Sequence, residues 1–125
     1  MPAWATTSAI TYLDGEAGIL RYRGYPVEVL AKNCDFIETS YLVLFGELPT
    51  TTQLDTWRDE ITHHTFLHEN IKHLMETFRY DAHPMGMLLG VVGALSTFYP
   101  GAKAIHDPAN RYLQRGRLLA KSPTI

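Results

Sequence analysis

The apolar positions change their period along the chain. Ile10 and Tyr12, then Ile19, Leu20 and Tyr22, are β-formers on either side of Asp14-Gly15, which is turn chemistry. They predict a small hairpin over about 9–24. A lone hairpin is marginal in water, so it should lie on helices or pair with a partner. From Pro26 onward the period is helical. A short helix is expected over about 26–32, broken by Asn33 and Asp35. Asp35 with Glu38 reads as a capping box for a strongly apolar helix over about 36–45, which carries Phe36, Ile37, Tyr41, Leu42, Leu44 and Phe45. Gly46 ends it and Pro49 prevents its resumption. Thr50 with Gln53 is a second capping box. The helix after it places Leu54, Trp57 and Ile61 on one stripe, with Asp55, Arg58, Asp59 and Glu60 outside it. It should end near 62–65. A further helix carries Ile71, Leu74, Met75 and Phe78. A last one runs from an Asp107 cap and Pro108 through Leu113, Leu118 and Leu119 to Lys121.

Between these lies a run with no charge from Pro84 to Tyr99. Pro84 suits the first turn of a helix, where its missing N–H costs nothing. His83 before it fits a helix start that satisfies backbone groups. The predicted helix, over about 84–99, is apolar or small on every face, and a helix of that kind is buried on all sides. Gly86, Gly90 and Gly93 each cost roughly 1 kcal/mol of helix propensity against Ala, so close approach of another helix should compensate. A membrane span with a Gly-x-x-x-Gly face is one reading. The run is shorter than the roughly 20 residues a bilayer needs, and Arg79, Asp81 and Lys103 close its ends. We therefore expect no membrane, and a partner chain as the cover, giving a homo-oligomer through helix 84–99. The fold class expected is all-α with one small N-terminal β-hairpin, a single partial domain over 1–125.

Composition changes this picture little. The 125 residues are 46% hydrophobic and 19% charged, with net charge -2, ordinary for one soluble domain. No basic excess calls for nucleic acid. One cysteine, Cys34, rules out an internal disulfide and suits a reducing, cytoplasmic setting. The first seven residues lack a charged region and a long apolar stretch, so no signal peptide is expected there.

Candidate chemistry is sparse. His64 and His68 are four apart, which on one helix would put both on one face, as in metal-binding helices. The His-Glu-x-x-His motif needs Glu at 65, where Thr65 stands, so no metal site is expected. Cys34 has no local base, and there is no Gly-x-Ser-x-Gly elbow or phosphate loop. His63, His64, Arg117 and Lys121 form a potentially cationic set. Arg117 and Lys121 are four apart and share a helix face, where they could bind phosphates or simply lie solvated at a helix end.

The stretches Ile10-Thr11-Tyr12-Leu13-Asp14-Gly15, Ile19-Leu20-Arg21-Tyr22-Arg23-Gly24-Tyr25-Pro26, Tyr41-Leu42-Val43-Leu44-Phe45-Gly46-Glu47-Leu48-Pro49-Thr50 and His83-Pro84-Met85 resemble citrate synthase. His64-Thr65, His68-Glu69, Gly90-Val91-Val92-Gly93-Ala94-Leu95 and Phe98-Tyr99-Pro100 are similar to the bacterial, Gram-negative-type form. The resemblance runs from about Ser8 to Ile125. It implies a mostly helical obligate dimer, an acyltransferase of the tricarboxylic acid cycle that condenses acetyl-CoA with oxaloacetate to citrate. The family's catalytic histidines and aspartate belong to the later part of its sequence, so this chain is expected to be an N-terminal fragment, inactive alone, with no catalytic residue. His83 is not the family's catalytic histidine. No cofactor is required. The family resemblance also implies a possible allosteric NADH site at His64, Thr65, Tyr99, Arg117 and Lys121. The chain departs from that site at His63, where those enzymes have arginine, and at Phe66, where they have methionine. From another class, a non-catalytic helical protein that dimerises through 84–99, or a gene remnant, is the alternative.

Overall fold

A computed structural model of the chain describes residues 8–125, so the stretch read as lacking a signal peptide lies outside the described residues. The β-formers at the start pair as expected. Strand β1, Thr11–Asp14, is antiparallel to β2, Ile19–Tyr22, with Thr11 opposite Tyr22 and Asp14 opposite Ile19. Asp14 closes the loop by accepting from the backbone N–H groups of Glu16 and Ala17 at 3.1 and 3.0 Å.

The sheet has a third strand that the sequence reading missed. The sequence predicts a helix from about Pro26, yet Tyr25–Pro26 forms β3, antiparallel to β2. The two residues between them, Arg23 and Gly24, both have positive φ, 49° and 88°. That is the signature of a tight hairpin turn whose twist matches the strands. Arginine seldom adopts a left-handed backbone. Here its guanidinium donates from Nε and Nη2 to the Val43 carbonyl at 3.2 and 3.0 Å, and its N–H donates to the Ile10 carbonyl. Those bonds offset the strain.

Six α-helices follow among the described residues: α1 (Val27–Asn33), α2 (Phe36–Phe45), α3 (Thr51–His63), α4 (Glu69–Glu76), α5 (Pro84–Leu95) and α6 (Pro108–Lys121). The all-α expectation therefore holds, with the expected N-terminal hairpin extended to a three-stranded sheet. Asp35 caps α2 by accepting from the Glu38 N–H at 2.8 Å. Gly46 ends that helix in the left-handed region, donating to the Leu42 carbonyl. Thr50 and Gln53 form the reciprocal box, each side chain accepting from the other's backbone N–H.

The chain divides into two compact units, residues 1–58 and 59–125. In the first, Leu30, Leu42 and Trp57 are buried. The Trp57 ring meets Tyr41 and Phe45 edge-on, with centroids 6.2 and 5.6 Å away, and its N–H donates to Ser40. In the second, Ile71, Val91 and Leu95 form the core, with Leu67, Met75, Phe78, Ala94, Phe98 and Ile125 packed on it.

Helix α5 departs from expectation. It ends at Leu95, and the residues up to Lys103 form two 3₁₀ turns, Ser96–Phe98 and Pro100–Lys103. It is not covered on all sides within the described residues. Val91 and Leu95 are buried, whereas Met85 is 63% and Leu89 78% exposed. Of its glycines only Gly90 meets a close neighbour. A Cβ there would sit 3.2 Å from the ring of Phe78, while Gly86 and Gly93 face open space.

Candidate functional site

The residues singled out in the second unit converge unevenly. After α5 the 3₁₀ turns bring Tyr99 under α6. The Arg117 guanidinium carbon lies 4.4 Å from the Tyr99 ring centroid, a cation–π distance, and the Lys121 ammonium lies 5.8 Å from it. One helical turn separates the two cations, so both reach the same ring. A cavity of about 200 Å³ opens here, lined by Leu95, Tyr99, Ala102, Gln114, Arg117 and Lys121 among others. Ligand pockets for drug-sized molecules usually span about 300–1,000 Å³, so this one is small beside them. Among the described residues the buried Nε of Arg117 has no hydrogen-bond partner. A buried unmatched N–H costs about 1–3 kcal/mol, so this guanidinium retains an unspent donor.

Lys121 differs. Of the two readings open for it, a phosphate ligand or a solvated helix end, the second does not hold: Lys121 is only 4% exposed. Its ammonium donates to the His64 carbonyl at 2.8 Å and to the Phe66 carbonyl. The physical reason lies in the connector between α3 and α4, whose carbonyls follow a helix C-terminus and carry partial negative charge. Thr124 adds a third bond, donating to the Thr65 carbonyl at 3.0 Å.

His64 and Thr65 reach this region through their carbonyls. Their side chains turn back on α3: His64 Nδ1 is 2.7 Å from the Glu60 carbonyl, and Thr65 Oγ1 donates to the Thr62 carbonyl at 3.0 Å. A carbonyl only accepts, so that histidine nitrogen carries the proton. Glu60 in turn accepts from the Tyr112 hydroxyl at 2.6 Å. His63 pairs with Asp59 on its own helix. Phe66 is 83% exposed.

The spacing of His64 and His68 does not put them on one helix face, because α3 ends at His63 and α4 starts at Glu69. His68 instead caps α4, its Nδ1 accepting from the Asn70 N–H. His83 caps α5 in the same way at 3.2 Å to the Met85 N–H, the role expected of it. Among the described residues no three His, Cys, Asp or Glu side chains gather to hold a metal. No described helix is long and apolar enough to cross a membrane. Burial pushes the Cys34 thiol up, and the Glu38 carboxylate beside it adds to the shift, so the thiolate is scarce at neutral pH.

The six helices and the small antiparallel sheet define a mainly helical fold that known proteins share. The structure superposes on citrate synthase from Pyrobaculum aerophilum with a TM-score of 0.85 and 29% identity, over 98% of this chain and 32% of that one. It matches the ternary complex of Thermoplasma acidophilum citrate synthase with carboxymethyl coenzyme A and oxaloacetate at a TM-score of 0.84; at 21% identity this shows the fold alone. The sequence profile described as "Citrate synthase, C-terminal domain" matches residues 2–125. The chain belongs to the citrate synthase family. It is 53% identical to the peroxisomal citrate synthase of Dictyostelium discoideum over 95% of its length, and 50% identical to citrate synthase 1 of Mycobacterium tuberculosis over 97%. It spans 26% and 28% of those two proteins.

Proposed function

We propose that these residues serve a citrate synthase, an acyltransferase condensing acetyl-CoA with oxaloacetate, as its N-terminal, surface-forming part and not as the part that reacts. The observation that carries this is identity of about half with full-length citrate synthases along nearly the whole chain. The histidines agree with the division of labour: the Nδ1 atoms of His68 and His83 are spent on helix caps. Acyl condensation of this kind needs a base at the methyl carbon and an acid at the carbonyl. We assign neither role to a residue of this chain. The single cysteine supports a reducing, cytoplasmic setting.

The assembly we propose is a homo-oligomer through α5. Its support is the bare stripe of Gly86, Leu89 and Gly93, one face of the helix by spacing, next to exposed Met85. We also propose that the complete enzyme is of the Gram-negative type and that NADH inhibits it allosterically near Tyr99 and Arg117. The cavity is sized for one end of that ligand, and the stacked, partly unspent guanidinium suits a phosphate.

The test is a chimera in which residues 8–125 replace the matching part of Mycobacterium tuberculosis citrate synthase 1. The chimera is expected to release CoA from acetyl-CoA and oxaloacetate, and the 125-residue chain alone is expected to release none. A folded but inactive chimera, or an active isolated chain, overturns the assignment. NADH titration of the chimera beside its Arg117→Ala form tests the regulatory part; an identical response in both returns Arg117 to a packing role.

A further inference from the structure

The connector between α3 and α4 has three consecutive carbonyls, of His64, Thr65 and Phe66, and each accepts from a side chain at the end of α6 or just beyond it. Lys121 supplies two of these bonds and Thr124 the third. A buried ammonium is costly unless its charge is matched. Among the described residues no carboxylate pairs with Lys121. Its match is the carbonyl dipoles alone, with the Tyr99 ring 5.8 Å away. An ammonium has three N–H donors, and two of them are committed to the connector. Arg117 one turn earlier is the opposite case, with a buried donor that has no partner.

We infer that Lys121 is a positioning residue: it clamps the connector from inside, and it is not a phosphate ligand of the neighbouring cavity. Withdrawing the ammonium to meet an anion would strand two carbonyls. Removing it altogether would free the carbonyls of His64 and Phe66, while Ile71, Val91 and Leu95 keep their contacts with one another. The clamp stands on the hydrogen bonds alone. Its meaning for regulation, that NADH would meet Arg117 directly and Lys121 only through the placement of His64 and Thr65, rests on the NADH reading above.

Chymotrypsin provides the measurement, because the clamped carbonyl of Phe66 belongs to the bond it would cut. Phe66 is 83% exposed and Tyr80 is fully exposed, which makes Tyr80 the internal reference. In the 125-residue chain the Phe66 bond is expected to resist while Tyr80 is cut. Lys121→Met keeps length and packing but loses the donors. It should raise the ratio of Phe66 to Tyr80 cleavage about tenfold, the scale of one charge-assisted bond. Thr124→Val, an exposed change that leaves the core alone, should raise it by a smaller factor of about three. A wild-type Phe66 bond cut as readily as Tyr80 overturns the clamp, and so does a ratio that Thr124→Val leaves unmoved. In the chimera, Thr124→Val should weaken NADH inhibition in the same direction as Lys121→Met. A loss with Lys121→Met alone would make the lysine a direct ligand and sink the inference. If NADH does not inhibit the unaltered chimera, the regulatory reading fails and the cleavage ratio still decides the clamp.

Discussion

The two faces of α5 have nearly the same composition and opposite surroundings. One face presents Val91 and Leu95 to the core of its own unit, and Phe78 folds against Gly90 at its edge. The other presents Gly86, Leu89 and Gly93, with Leu89 78% exposed and open space above both glycines. Hydrophobicity alone does not distinguish them. Shape does: the covered face has branched side chains that interdigitate, and the bare one has alternating large and small residues that would admit a second helix. An apolar stripe left this open is unusual on a monomer.

The largest expected effect comes from placing the same charge on each face. Val91→Asp buries an unpaired carboxylate and should lower stability by about 4 kcal/mol or more, read as loss of the cooperative melt by circular dichroism. Leu89→Asp should leave folding within about 0.5 kcal/mol and instead abolish self-association in sedimentation velocity. If both unfold the chain, or neither alters association, the two faces are not different in the way described.

The glycines sharpen the contrast at a smaller scale. Gly93→Ala should stabilise the isolated chain by up to about 1 kcal/mol through helix propensity, while weakening any assembly made through that face. Gly90→Ala gains the same propensity but drives a methyl to 3.2 Å from the Phe78 ring, so its net effect should be neutral or unfavourable. Matched thermal melts of the two variants, at a concentration where the chain is monomeric, decide this. Equal gains would mean that Phe78 yields freely.

The smallest effect lies on α4, which packs against the covered face. Glu69 accepts a hydrogen bond from Lys72, whose charge also acts on it, and together these hold its carboxyl below the ordinary carboxylate value. The stabilising contribution is therefore complete above the ordinary value near 4.5 and fades as pH falls through the lowered one. Glu69→Gln should flatten that part of the acid limb slightly, because the pair is exposed and screened. A limb unchanged in shape would remove Glu69 from the pH dependence.

Local chemistry was legible wherever a side chain acts on its own backbone. Asp35, Gly46, Thr50 with Gln53, and His83 all do in space what their positions implied. The second hairpin turn was hidden because Arg23 occupies a place where Asn or Gly would have signalled it, and the bonds that offset its strain reach the distant Val43 and Ile10 carbonyls. Histidine spacing pointed to no shared face for a legible reason: the helix carrying Trp57 is expected to end near 62–65, and α3 ends at His63, before His68. At the candidate site, sequence placed Tyr99, Arg117 and Lys121 together on family resemblance. It could not assign their partners. Lys121 was indistinguishable from any lysine at a helix end until the carbonyls 57 and 55 residues away came into view.

Trp57 gives the molecule an optical consequence. The sequence holds two tryptophans, Trp4 and Trp57, and neither falls in residues 59–125. Trp57 is sealed between Tyr41 and Phe45 with its indole N–H on Ser40. Once Trp4 is changed to Phe, all indole emission reports on the first unit, and the second contributes only tyrosine. The emission wavelength then follows the first unit alone, whereas the helical ellipticity follows helices of both units. A denaturation in which the two curves separate would show the units melting in sequence, and one in which they coincide would show a single cooperative chain.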